Sequence, residues 1–249
     1  MLNIAILGAG RMGRQIQAVA TAAPDCNVVA IWTRTPHSAE SAETDDLAAA
    51  IKQADVAIDF TLPDAFDDVL DAATSSKTPL VSGVSGLSDA QNDDLQQAAE
   101  LIPLLYDRNM SFGIAVLNRL VEDAAAALHG RYAAEVRETH HVHKLDAPSG
   151  TALKLGEALA RGQGGEFDSL YHYDPHGSPG AEGQITFKVR REGEVPGDHE
   201  VVFASNSEVI SLAHSVSDRR VFADGAIAAA RWLVNQGPGR YRMSNLLEE

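Results

Sequence analysis

Within residues 140–152 the chain sets three imidazoles (His140, His141, His143), one ammonium (Lys144) and a Pro148-Ser149-Gly150-Thr151 turn that opens a helical pattern. Imidazoles exchange protons near neutral pH. Lysine is a point charge for anions, and a helix N-terminus offers unpaired backbone N–H groups to a carboxylate or phosphate. One short segment can therefore hold an anionic substrate and protonate it. Ser149 or Thr151 can cap the helix, whose apolar positions run Ala152, Leu155 and Leu159. Capping alone accounts for both hydroxyls; their coincidence with Lys144 makes an anion site the leading reading. No metal is expected. If 134–143 is a strand, His140 points away from His141 and His143, only two imidazoles share a face, and Lys144 repels a divalent cation, whereas a metal site needs three or four converging ligands. Of the remaining histidines, His129, His172, His176, His199 and His214 are scattered and read as structural.

A second chemistry sits at the N-terminus. Gly8, Ala9, Gly10, Arg11, Met12 and Gly13 match G-x-G-x-x-G directly after an apolar strand and at the start of an amphipathic helix. That context is what the dinucleotide-binding loop requires: a tight turn, close approach of a pyrophosphate, and close helix–strand packing. The alternative is a glycine-rich turn that binds nothing. At the end of the next strand an acid would read the ribose of NAD, and an arginine the extra phosphate of NADP. Here Thr33-Arg34-Thr35 carries no carboxylate, which favours NADPH unless Arg34 simply faces solvent.

These residues need elements to position them. Apolar runs at 2–7, 27–32, 55–60, 78–82 and 102–106 alternate with helical spacing at 12–23, 45–53, 64–76 and 88–101, the pattern of a parallel sheet covered on both faces. After Ser111 the rhythm changes. A helix at 114–128, a strand at 134–143, a helix at 151–160 and strands at 184–190, 200–204 and 208–213 predict an antiparallel or mixed sheet. An alanine-rich helical pattern returns at 222–234. The expected fold is α/β: a Rossmann-type dinucleotide-binding domain at 1–111, an inserted α+β domain with a mixed sheet at 112–220, and a C-terminal segment, 221–249, that rejoins the first.

Composition excludes other classes. The chain has 249 residues, 45% hydrophobic and 22% charged, enough for a substantial core. A formal charge of −15 argues against nucleic acid as a partner. Cys26 is the single cysteine, so no intrachain disulfide forms. No apolar run reaches the roughly 18 residues a membrane span needs. The opening strand also lacks the basic flank of a signal peptide. A cytoplasmic location with no membrane partner is expected.

The stretch from Glu138 to Ala152 resembles the signature E-x-H-H-x-x-K-x-D-A-P-S-G-T-A of the 4-hydroxy-tetrahydrodipicolinate reductase (dihydrodipicolinate reductase) family of bacterial lysine biosynthesis. Asp59-Phe60-Thr61, Asn109-Met110-Ser111-Phe112-Gly113 and Arg219–Ala226 are similar to further family segments, and the resemblance spans nearly the whole chain. It implies that His140 donates a proton, that Lys144 assists it, and that His141 with the backbone of Gly150 and Thr151 holds a substrate carboxylate. It also implies that Gly83, Val84 and Ser85, with Asp107, Arg108, Asn109 and Met110, line the nicotinamide end of the cofactor. The reaction implied is loss of the 4-hydroxyl to give a conjugated imine, hydride addition at C4, and protonation of the resulting enamine at C3, a step suited to a histidine acid. NADPH is the expected cofactor with NADH possible, the substrate is a small dicarboxylate, and a homotetramer forms through the substrate domain. The sequence departs from the family in four places, one of them a shorter stretch between Gly162 and Tyr171. The glycine loop is one residue shorter than G-A-x-G-R-M-G. Thr33 stands where many relatives have an acid, and Ser82-Gly83-Val84-Ser85-Gly86 replaces the usual G-T-T-G. His143 has no assigned role. Another two-domain amino- or imino-acid dehydrogenase and a non-catalytic nucleotide-sensing module are the alternatives; the second need not keep His140 or Lys144.

Overall fold

The structure, a computed structural model, describes residues 1–36, 42–174, 181 and 183–248. His176 lies outside the described residues. In chain order the elements are β1 (Leu2–Leu7), α1 (Arg11–Ala22), β2 (Cys26–Trp32), β3 (Glu43–Thr44), α2 (Leu47–Lys52), β4 (Val56–Asp59), α3 (Pro63–Ser76), β5 (Leu80–Ser82), α4 (Asp89–Ala98) and β6 (Pro103–Tyr106). Then come α5 (Phe112–Leu128), β7 (Ala133–His140), α6 (Gly150–Gly162), α7 (Phe167–Leu170), β8 (Tyr171–His172), β9 (Ile185–Arg191), β10 (Asp198–Ala204), β11 (Val209–Ser215), α8 (Arg220–Leu233) and β12 (Gly239–Tyr241). They form two units, Met1–Ser111 with Arg220–Glu249, and Phe112–Arg219.

The first unit is built on a parallel sheet in the order β12-β6-β5-β4-β1-β2-β3. Its middle is the Rossmann order, with the topological switch at β1. Ile4, Ala5, Ile6 and Leu7 are fully buried, as are Val56, Ala57 and Ile58, because both faces of the sheet are covered and neither can be polar. The register places Leu7 level with Trp32 and Asp59, Asp59 level with Ser82, and Ser82 level with Tyr106. The residues that follow, Gly8, Thr33, Phe60, Gly83 and Asp107, therefore emerge along one edge. Local signals fix the helices. Pro63 starts α3 and Lys77 ends it in the left-handed conformation at φ 56°. Ser88 and Gln91 form a reciprocal capping box on α4. Helix α8 packs on α1 within this unit.

The second unit is a mixed sheet, β11-β10-β7-β9-β8, as its sequence pattern predicts. β7 pairs parallel with β9 and antiparallel with β10. Helices α5 and α6 pack against each other, and α6 lies on β7, β9 and β10. The core joins Ala134, Val136, Ile185, Phe187, Val201 and Phe203 of the sheet to Ile114, Val121, Leu155 and Leu159 of the helices. The opposite sheet face is charged: Arg137 pairs with Glu135 and Glu200, and Lys188 with Glu135. The predicted strand at 134–143 ends at His140. Its partner β9 stops at Arg191, opposite His140, and the Lys144 N–H then donates to the His141 carbonyl to close a turn. Short elements such as β3, α7, β8 and β12 have too few residues to show a period. No helix among the described residues is long and apolar enough to cross a membrane.

Candidate active site

In the first unit the glycine loop leaves β1 at Leu7 and enters α1 at Arg11. Gly8 has φ +100°, and a Cβ there would sit 2.9 Å from the Phe60 carbonyl oxygen. A Cβ on Gly13 would come within 1.8 Å of the Gly8 carbonyl oxygen, so helix and loop touch through bare backbone. Gly10 opens onto free space. It caps α1 with no side-chain hydrogen bond, and the first turn, through Arg11, Met12 and Gly13, holds no acid. The N-terminus of α1 is thus uncapped, shielded by no side chain at Gly10 and bordered by a cation. That arrangement suits a pyrophosphate.

The neighbouring loops of that edge are braced from below. Asp59 is fully buried; it accepts hydrogen bonds from the Thr61 N–H at 2.9 Å, the Thr61 hydroxyl at 2.7 Å and the Ser82 hydroxyl at 3.1 Å. Burial pushes its carboxyl up, against those bonds. The Gly83 N–H donates to the Asp59 carbonyl, which ties Gly83, the buried Val84 and the exposed Ser85 to the end of β4. Asp107 accepts from the Asn109 and Met243 N–H groups, each at 3.2 Å, and the Asn109 side chain accepts from the Ser111 N–H. Asp107, Arg108, Asn109 and Met110 form this turn, with Met110 buried. At the end of β2, Thr33 is held by its N–H to the Thr44 carbonyl, and Arg34 is exposed. The strand end lacks a carboxylate in sequence, yet Asp64 of α3 meets the Arg34 guanidinium at 2.9 Å.

In the second unit the site grows from the inner face of β7. Ala134, Val136, Glu138 and His140 alternate onto the buried face. His199 of β10 lies directly opposite Glu138 in the antiparallel register and shares that face. His199, expected to be structural, is thus a cross-strand neighbour of this face. The structure puts the His140 and His199 rings edge-on, centroids 5.0 Å apart, with His140 Nδ1 3.3 Å from Glu138 Oε2. That contact is an ion-pair approach rather than an aligned hydrogen bond. A Cβ on Gly197, whose φ is +156°, would lie 3.0 Å from His140 Nε2. The glycine keeps that nitrogen clear.

Glu138 is the hub. Its Oε1 accepts from the Ser149 N–H at 3.0 Å and from Arg191 at 3.3 Å. The same guanidinium donates to the Lys144 carbonyl at 3.3 Å and the Asp146 carbonyl at 2.5 Å, stapling the 144–146 loop to the carboxylate. Ser149 caps α6 through the Ala152 N–H, and its hydroxyl lies 3.3 Å from His199 Nε2. Burial pushes the Glu138 carboxyl up, but the facing His140 imidazole and hydrogen bonding from Ser149 outweigh it and hold it down at about 2. Burial, reinforced by the His140 charge, lowers His199 to about 3, so it is neutral at working pH. His141 is lowered by burial and by Arg219.

The predicted residues His140, His141, Lys144, Gly150 and Thr151 thus lie on one connection from β7 to α6. Lys144 Nζ is 2.8 Å from Asp146 Oδ1, and Gly150 and Thr151 form the first turn of α6, which carries no acid. His143 is exposed beside Glu194. Donor atoms of Glu138, His140 and His199 lie within 4.8 Å of one another. The Glu138 carboxylate there is already compensated by Arg191. Glu138 stood in the sequence signature, and its alternation with His140 was the signal for it. Arg191 and His199 carried none.

Comparison with known proteins agrees with both units. Residues 2–110 match the family described as dihydrodipicolinate reductase, N-terminus, and residues 113–247 that described as dihydrodipicolinate reductase, C-terminus. The 4-hydroxy-tetrahydrodipicolinate reductase of Halorhodospira halophila is 38% identical over 99% of this chain and 98% of its own. That of Zymomonas mobilis is 40% identical over 99% and 97%. Among solved structures, the dipicolinate-bound dihydrodipicolinate reductase from Paenisporosarcina sp. TG-14 superposes with a TM-score of 0.78, at 22% identity over 99% of both chains. An engineered D-amino acid dehydrogenase bound to NADP+ superposes at 0.57, at 15% identity over 98% of this chain and 93% of that one. Fold and relatives define an oxidoreductase with a Rossmann-type dinucleotide-binding unit. Within that class, the chain belongs to the dihydrodipicolinate reductase family.

Proposed function

We propose that the chain reduces 4-hydroxy-tetrahydrodipicolinate to tetrahydrodipicolinate in lysine and diaminopimelate synthesis, using NADPH in preference to NADH. The observation that carries this reading is the Glu138–Arg191 hub. It joins a buried imidazole, a lysine loop and an acid-free helix N-terminus through one carboxylate. A carboxylate substrate needs an anion site and the reaction needs one proton, and this segment offers both.

The dihydronicotinamide, when bound, supplies the hydride. Gly8–Gly13 would hold the pyrophosphate; Gly83, Val84, Ser85 and Asp107–Met110 would line the nicotinamide; Thr33 and Arg34 would face the adenosine ribose. The chain's own work lies in the second unit. His141 and the backbone N–H groups of Gly150 and Thr151 hold a substrate carboxylate at the positive end of α6. Lys144, fixed by Asp146 and by Arg191 on its carbonyl, adds positive charge where the imine is polarised. His140 keeps Nδ1 toward Glu138 and delivers its proton from Nε2, the nitrogen kept clear by Gly197, to C3 of the enamine. Glu138 stabilises the imidazolium before transfer, as an orienting carboxylate does for a catalytic histidine.

The charged outer face of the second sheet holds a groove of about 340 Å³ lined by Arg137, Lys188, Arg190 and Glu200 among others. A homotetramer assembled through this unit is part of the proposal. The lone buried thiol of Cys26 suits the cytoplasm. The test is oxidation of NADPH on addition of freshly generated 4-hydroxy-tetrahydrodipicolinate. Turnover supports the reading, and tight NADPH binding without turnover overturns it.

A further inference from the structure

In sequence, the end of β2 offers the ribose only hydroxyls and a cation. The fold changes that set of groups. Asp64, in the first turn of α3 and 30 residues from Arg34, forms a two-pronged pair with it: Arg34 Nη1 to Asp64 Oδ2 at 2.9 Å and Nη2 to Oδ1 at 3.4 Å. Both side chains are more than half exposed, at 59% and 58%. An exposed pair of this kind shifts an equilibrium by about fivefold at most. It is therefore weak enough to open for a ligand, and α3 already has Pro63 to start it. The guanidinium fork that suits a phosphate is the same fork the carboxylate now fills.

We infer that Asp64 is a specificity-determining residue that holds back the preference for NADPH. A 2′-phosphate must take the Arg34 N–H groups from Asp64 and then sit beside a like charge. A ribose 2′-hydroxyl carries no charge and can donate to the same carboxylate. The acid that reads the ribose in NAD-type sites stands at the end of the second strand. In this chain it arrives instead from the helix after β4, which no inspection of 31–35 reveals. Arg34 and Asp64 thus act as opposed determinants on one ribose position. The inference rests on the proposal that this edge binds a dinucleotide with Arg34 at the adenosine ribose.

The experiment uses the full chain and two probes that isolate this position, adenosine 2′,5′-bisphosphate and 5′-AMP, with calorimetric Kd values for wild type, Asp64→Asn, Asp64→Glu and Arg34→Ala. The kcat/KM values for NADPH and NADH are measured alongside. Asp64→Asn is expected to tighten the bisphosphate about fivefold and to raise the NADPH-to-NADH ratio of kcat/KM by a similar factor. Asp64→Glu keeps the wild-type ratio, and 5′-AMP binding does not tighten in Asp64→Asn. Arg34→Ala should weaken the bisphosphate and leave 5′-AMP nearly unchanged. If Arg34→Ala discriminates between the probes while Asp64→Asn leaves both unchanged, Asp64 has no such role and the dinucleotide reading stands. Equal effects of Arg34→Ala on both probes would remove Arg34 from the ribose site, and the inference with it.

Discussion

The two units build their candidate sites from opposite materials. At the edge of the parallel sheet, contact is made by backbone: the Gly8 carbonyl meets Gly13 because Gly13 has no side chain, and Gly10 faces open space. At the end of β7 the site is made of buried polar groups, where the Glu138 carboxylate meets Arg191, His140 and the neutral His199. A backbone cradle can be written locally, as a run of glycines after a strand. A buried charge cluster needs partners from three strands and a helix, and each partner is useless alone. Binding a common cofactor tolerates the first arrangement; holding a proton at one atom requires the second.

That contrast predicts where substitutions cost most. Glu138→Ala strips the compensating charge from Arg191 and the acceptor from Ser149, and a broken buried pair of this kind costs roughly 3–5 kcal/mol. Denaturant unfolding should report a loss in that range. Gly13→Ala comes next. Its Cβ would lie 1.8 Å from the Gly8 carbonyl oxygen, and overpacking costs about 1–3 kcal/mol, to be read as a lower unfolding midpoint with weakened NADPH binding. Gly10→Ala tests the same loop from its open side. Stability should be unchanged within about 0.5 kcal/mol, while NADPH affinity falls because the Cβ points where a pyrophosphate would approach. Equal destabilisation by both glycine variants would contradict the division between packing and ligand glycines.

A pH-dependent effect concerns His199. Burial and the His140 charge hold it down to about 3 in the folded protein, against 6.5 when free. Between those values only the unfolded chain takes up the proton, so stability falls as pH drops from about 6.5 toward about 3. The slope is about 1.4 kcal/mol per pH unit for one full proton. His199→Asn should flatten the profile between roughly pH 6.5 and 5. An unchanged slope would mean that His199 is not buried neutral.

The fold class was legible because hydrophobic period and glycine placement are local properties: residues 2–7 read as β1, and the change of rhythm after Ser111 announced a different sheet. The second site was legible only along the chain. His140, Lys144 and Ser149 sit close in sequence, so an acid beside an anion site could be read from them. His199 lies 50 residues from Ser149, and only the register of β10 on β7 brings it opposite Glu138. Arg191 was hidden for the same reason. Asp64 was missed because an ion pair between consecutive βα units leaves no periodic trace. The end of β7 was misread by three residues because alternation continues past the point where β9 stops pairing.

The central claim is that His140, oriented by Glu138, donates the proton. Steady-state kinetics of His140→Gln with saturating NADPH and freshly generated substrate test it most directly. The account predicts a kcat lower by about 10²-fold or more, with the substrate KM within about threefold of wild type. A KM raised by the same factor with kcat preserved would make His140 a substrate-holding residue and contradict the account.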